Sequence, residues 1–242
     1  MKYLLFIVGL VFLLVSCDSN GGEQELSGSE PGHSKADYFY PTDSLIPYIY
    51  VFQNVNEPLD EKILRIYRSE TDSANALVVE FYNSDMKITE GYTHDINDGF
   101  KVLDHMIVDG DGLKRQAKLT SNTFFPKDMN DQTQFLSDFP SHLDSLTMIY
   151  QSKRRILEQD KNVEVLGQDV PALVIEDSVK VLFANPYTQK SSGQGVMITR
   201  TFAKGYGMVA WSANNQEIMY KLEKILPNKW WDEYGPTPQI MP

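Results

Sequence analysis

From residue 48 onward, apolar and polar residues alternate through most of the chain with a period of two. In 76–83 (ALVVEFYN), Leu77, Val79 and Phe81 share one face. In 100–108, Phe100, Val102, Met106 and Val108 alternate with Lys101, Leu103, His105 and Ile107. In 113–121, Leu113, Ala117 and Leu119 oppose Lys114, Gln116, Lys118 and Thr120. Segments 48–54 (YIYVFQN) and 62–68 (KILRIYR) are rich in aromatic and β-branched types. The alternation resumes at 146–157 and recurs at 163–166, 171–176, 179–184, 195–203 and 207–213. A period of two predicts strands, about ten or eleven of them.

Turn residues separate these runs: Asn83-Ser84-Asp85, Asn97-Asp98-Gly99, Asp109-Gly110-Asp111-Gly112, Asp177-Ser178 and Lys204-Gly205. Short connections imply antiparallel neighbours. Two stretches break the alternation. Phe135, Leu136 and Phe139 predict a short helix ending before Pro140. Residues 215–226 predict a longer one, with Asn214 and Glu217 in a capping-box pattern. Its apolar face is Ile218, Leu222, Ile225 and Leu226, and Pro227 ends it. The tail, 228–242, reads as extended. The expected fold is mainly β: a single antiparallel sheet curved into an open barrel or sandwich, with one C-terminal amphipathic helix packed on it.

The N-terminus follows a different pattern. Lys2 supplies one charge, residues 3–15 (YLLFIVGLVFLLV) are almost wholly apolar, and Leu14-Val15-Ser16-Cys17 follows. The apolar run is short for a membrane span, which needs about 20 residues, and suits a secretory signal. The four residues resemble the lipobox of bacterial lipoproteins. That resemblance implies cleavage before Cys17, lipidation of Cys17 with palmitate-type acyl chains, and a membrane anchor. Residues 1–16 are then the signal peptide. Residues 17–36 are the lipidated end and a flexible tether (DSNGGEQELSGSEPGHSKA, with His33 in it), too poor in apolar residues to fold. A single β-rich domain occupies 37–242. Many Bacteroidota-type lipoproteins that reach the cell surface carry an acidic cluster after the cysteine. Here Ser19, Asn20, Gly21 and Gly22 follow Asp18, which leans towards a periplasm-facing protein. The stretch VEVLGQDVPALVIEDSVKVLF with the later TFAKGYGMVAWSA also resembles uncharacterised envelope lipoproteins whose meander ends in a Gly-x-Gly hairpin.

Charge and cysteine count narrow the partners. A net charge of −11 argues against nucleic acid and against broad docking on anionic lipid. Cys17 is the one cysteine, so once it is lipidated the domain has no disulfide, no thiol catalysis and no cysteine-based metal site. No cofactor motif is present either. Asp109 and Asp111 have glycines between and after them, but Leu113, Lys114 and Arg115 stand where a calcium loop needs oxygens, so a hairpin turn is expected. His94, Asp95, Asp98, Asp104 and His105 form the densest mix of His and Asp, without zinc-binding spacing. No G-x-S-x-G elbow marks a serine nucleophile, and Gly205-Tyr206-Gly207 reads as a turn. In 152–157 (SKRRIL), Lys153 and Arg155 share one strand face and Arg154 takes the other. Aromatic runs at Tyr38, Phe39, Tyr40, Tyr48, Tyr50 and Phe52, and at Trp230 and Trp231, read as packing.

Two functions remain, and an enzyme ranks below both. One is a carrier of a hydrophobic ligand; lipid-anchored antiparallel domains of this kind resemble the open-barrel carriers of the LolA and LolB type. The other is a structural lipoprotein docking an envelope protein. A carrier needs a cavity of about 300–1,000 Å³, whereas a scaffold has a filled core.

Overall fold

Strands dominate because the alternation has two sides to satisfy, an aromatic interior and a solvated exterior. A computed structural model describes residues 34–42, 47–71, 74–140, 146–185 and 187–235. Up to residue 33, the segments expected to be signal peptide and tether, Cys17 and His33 among them, lie outside the described residues. The strands are β1 (Tyr48–Asn54), β2 (Glu61–Thr71), β3 (Ala74–Tyr82), β4 (Ile88–Asp95), β5 (Val102–Val108), β6 (Lys114–Gln116) and β7 (Lys118–Asn122). There follow β8 (Gln132–Pro140), β9 (Thr147–Val165), β10 (Gln168–Asn185), β11 (Lys190–Ala203), β12 (Gly207–Ala213) and β13 (Ile218–Pro227), then helix α1 (Asn228–Tyr234). They form one 13-stranded sheet in the order β6-β5-β4-β3-β2-β1-β13-β12-β11-β10-β9-β8-β7. Every ladder among the described residues is antiparallel, and β1 with β13 joins the first strand to the last.

Among the described residues no ladder closes the sheet. Its two edges, β6 and β7, are nonetheless successive pieces of one segment, with Ala117 between them donating its N–H to His105 O. The sheet is therefore rolled until β5 and β8 face each other, and His105 of β5 reaches Ser137 of β8 at 2.8 Å. The inner face carries Tyr50, Phe52, Leu64, Ile66, Leu77 and Val79 from β1–β3, all buried. One end of the roll is plugged by the chain entering it. A short turn at Lys35–Tyr38, capped by Ser34, leads Tyr38, Phe39 and Tyr40 into full burial. Phe39 stacks on Phe100 at 4.0 Å between ring centroids. Gly207, at φ +81°, makes room for Tyr40: a Cβ there would fall 2.2 Å from the tyrosine ring. The Tyr38–Tyr40 run is thus packing, as its composition suggests.

The mainly β, single-sheet architecture with one C-terminal helix matches the sequence reading, but the helix is displaced. Residues 218–227 are the strand β13, hydrogen-bonded on both sides, and α1 begins only at Asn228. The reason lies opposite Val51 and Phe52. Val51 pairs with Lys224 and Phe52 with Leu222, so Glu223 is an extra, bulged residue. The bulge shifts the phase of the alternation. Leu222 and Ile225 then face the inner core while Leu226 faces the outside cluster, and the spacing imitates a helical stripe. The apparent cap is a hairpin turn, with Asn214, Asn215 and Gln216 all at positive φ. Residues 132–140 are likewise a strand and not a helix; Thr133, Phe135, Ser137 and Phe139 alternate inward. Asp177-Ser178 is no turn but the middle of β10, and Leu166-Gly167, both at positive φ, make the β9–β10 turn instead.

Helix α1 packs on the outer face of the sheet. Trp231 is buried there with Ile49, Val51, Ile63 and Tyr82, its ring 4.7 Å from that of Tyr82 and 5.0 Å from the Arg65 guanidinium. The segment after Pro227 is therefore helical where the sequence reads as extended. The Gly235 N–H closes the helix on Trp231 O.

Candidate functional site

Inside the roll, the inner face is not apolar throughout. Strands β4, β5 and β8–β11 send polar side chains inward at positions where the alternation demands core residues. Two linked clusters result. In the first, the fully buried His105 ring bridges Ser137 Oγ (2.8 Å from Nδ1) and Glu90 Oε1 (2.9 Å from Nε2). Tyr92 donates its hydroxyl to the same carboxylate at 2.5 Å and stacks flat on the His105 ring at 4.3 Å. Burial alone would raise the Glu90 carboxyl. The hydrogen bond and charge of His105, with Tyr92 and Arg200, overcome it and hold Glu90 below the usual carboxylate range. An ionised Glu90 accepts only, so the His105 Nε2–H donates to it.

In the second cluster, Asp177 has no exposed surface. It accepts from Arg154 Nε at 2.9 Å, from Arg200 Nη1 and from the Ser152 hydroxyl. Burial opposes the Asp177 charge, but the two guanidinium groups and Ser152 prevail and lower its pKa. Arg154 also donates to Phe124 O at 3.2 Å and lies over the Phe124 ring at 4.5 Å. The SKRRIL stretch therefore splits as its alternation predicts: Lys153 and Arg155 face solvent and Arg154 is buried.

Between the clusters and the aromatic half of the interior lies a cavity of about 300 Å³. Its apolar wall includes Val79, Phe81, Ile198, Phe202, Met208 and Trp211. Its polar wall is Glu90, Arg154, Arg200 and Lys62, with Tyr92 and His94. Glu90 and Arg200 retain 31% and 19% of their side-chain surface although they sit deep in the protein; that surface faces the cavity. Exposed Thr89 and half-exposed Lys62 mark the end that opens to solvent. Lys62 there is held by Asp60 at 2.7 Å, which also accepts from Tyr220.

The histidine–aspartate group divides by face. His94 and His105 point inward and are buried, whereas Asp95, Asp98 and Asp104 do not join them. His94 donates Nδ1–H to Phe100 O at 3.0 Å; burial pushes its pKa down to about 3, against that hydrogen bond, so it is neutral. Asp109 holds the β5–β6 turn, accepting from the N–H groups of Asp111 and Leu113 and from Arg115 Nε. Ser137, His105 and Glu90 form a serine–histidine–carboxylate chain. Ser137 has no exposed surface and does not line the cavity, so its hydroxyl cannot meet a substrate. The chain orients Glu90 and performs no nucleophilic chemistry in this arrangement.

Sequence reasoning missed Asp177, Glu90 and Arg200. The signal was present for Arg154 alone, whose inward parity follows from Lys153 and Arg155 facing out.

No protein-family model matches the chain, and no curated protein matches it. Two solved structures are similar. One is of a putative lipoprotein from Parabacteroides distasonis ATCC 8503, at 9% identity and a TM-score of 0.40 over 78% of this chain and 98% of that one. The other is of a putative exported protein with a YmcC-like fold from Bacteroides fragilis NCTC 9343, at 11% identity and a TM-score of 0.35 over the same shares, 78% and 98%. Likeness of this degree transfers neither a site nor an activity.

Proposed function

We propose that the protein is a bacterial envelope lipoprotein, anchored through lipid on Cys17 and facing the periplasm, that holds a small hydrophobic or amphipathic ligand inside its rolled sheet. The cavity carries this reading. At about 300 Å³ it reaches the size of small-molecule pockets, and an aromatic wall with a few convergent polar groups is their usual lining. The anchor rests on the order of charge, apolar run, Ser16 and Cys17.

A docking scaffold fits less well. Phe183, Tyr187 and Met197 are exposed towards the β10–β11 tip. Phe183 shares the parity of inward Asp177, whereas Met197 pairs with outward Ser178, so these residues do not build one patch.

The binding reading is tested with a neutral apolar fluorophore, N-phenyl-1-naphthylamine, added to residues 17–242 carrying Cys17→Ser. Saturable enhancement at one site per chain, abolished by Ile198→Trp, supports it. Enhancement absent from the folded protein, or unchanged by Ile198→Trp, contradicts it. The anchor is tested separately: fatty-acid labelling of the full chain in cells should disappear with Cys17→Ala, and equal labelling of both would refute it.

A further inference from the structure

The ligand cavity has a chemical polarity that can be read from its unused hydrogen-bonding groups. Arg200 offers five N–H donors. Among the described residues its guanidinium bonds one acceptor, Asp177. The other donors are not sealed in protein, because the side chain lines the cavity and keeps 19% of its surface there. Asp177 stands behind the wall with no exposed surface, already engaged by Arg154 and Ser152. Glu90, the carboxylate on the wall, accepts from His105 and Tyr92 through Oε1, so its open Oε2 is, among the described residues, the one anionic group that competes with Arg200 for the ligand's head. The wall thus presents a donor-rich, cationic corner to an otherwise aromatic and aliphatic space.

From this geometry, and resting on the ligand-binding reading above, we infer that the cavity takes an anionic amphiphile whose carboxylate or phosphate head bonds the Arg200 guanidinium while its apolar body lies among Phe81, Ile198, Met208 and Trp211. Three physical points support the assignment. A guanidinium with several open donors beside an apolar wall gains most from an anionic acceptor, which it can engage bidentately. A neutral apolar ligand can still fill the apolar space, but it leaves those donors without an acceptor and so binds more weakly than an anion of the same size. A cationic head would meet Arg200, Arg154 and Lys62 on the same wall, with Glu90, among the described residues, as the one opposing charge there. Size sets the scale: at about 30 Å³ per water-sized volume, the cavity holds roughly ten non-hydrogen atoms. That equals a single medium chain with its head, or one inserted chain of a larger lipid whose remainder emerges at the Thr89 and Lys62 end.

Three eight-carbon probes of equal length separate head from chain: octanoate, octanol and octylammonium. Each is titrated by calorimetry, near neutral pH, into residues 17–242 with Cys17→Ser. Octanoate should bind at one site per chain, about tenfold or more tighter than octanol, with octylammonium weakest. Octyl phosphate should match or exceed octanoate; if it fails to bind while octanoate binds, the head is a carboxylate. Arg200→Gln should reduce octanoate to the level of octanol and leave octanol unchanged. Should that variant lose its fold by circular dichroism, Arg200→Lys keeps the charge beside Asp177 but loses the planar fork, and it should lose most of the preference. Equal binding of the three probes, or a preference for octanoate retained in either Arg200 variant, overturns the head assignment and leaves the cavity reading standing. Failure of every probe, together with failure of the neutral fluorophore, overturns both.

Discussion

His94 and Asp177 show how much of this fold depends on single buried polar groups. His94 is neutral inside the protein, with its pKa depressed to about 3 by burial, while an exposed histidine titrates near 6.5. The unfolded chain therefore binds a proton that the folded chain refuses between those two values. Stability from this residue is whole above about pH 6.5 and is lost as pH falls through that window, at up to about 1.4 kcal/mol per pH unit. Denaturant melts at a series of pH values should show this slope, and His94→Gln should flatten it between about pH 6 and pH 4. Asp177 neutralises two buried guanidinium groups. Removing it leaves Arg154 and Arg200 uncompensated, so Asp177→Ala should cost about 3–5 kcal/mol, read as a lower denaturation midpoint. None of this was legible from the sequence. Asp-Ser next to a strand is a turn signal on local grounds, and only the register of β10 against Arg154 and Ile198 reveals an aspartate in the core.

At the scale of elements, the strands with clean alternation could be read from the sequence, and β1 was found to the residue. The failures share a cause. In β13 the bulge at Glu223 rephased the inward residues into a helical spacing, and two flanking ladders decided the outcome against the local pattern. In β8 Phe135, Leu136 and Phe139, with Ser137 and Asp138 between the last two, looked helical, because Ser137 is an inward residue whose partner, His105, lies across the roll. Helix α1 was hidden because seven residues carry too little periodicity to be seen. Its hold on the sheet is Trp231. Trp231→Ala should cost about 3–5 kcal/mol by exposing Ile49, Val51 and Ile63, and should reach the inner cavity only through Tyr82, leaving most of its lining in place. Thermal melts would register the first, and largely retained binding of the neutral fluorophore the second.

For the whole molecule, the sheet succeeds in rolling because its edges belong to one segment and because the Tyr38–Tyr40 plug fills one end. What remains unfilled is the space between an aromatic half and a charged half. The sequence contained the ingredients of a carrier, but a cavity is a property of packing that no alternation reports. That cavity, read as a binding site, is the central claim. Native mass spectrometry tests it most directly, on the full chain expressed in a bacterial host, purified without added amphiphile and compared with Ile198→Trp. The account predicts one small amphiphile bound per chain, absent from the filled variant. A bare chain mass for the native protein, or the same adduct on both proteins, would contradict it.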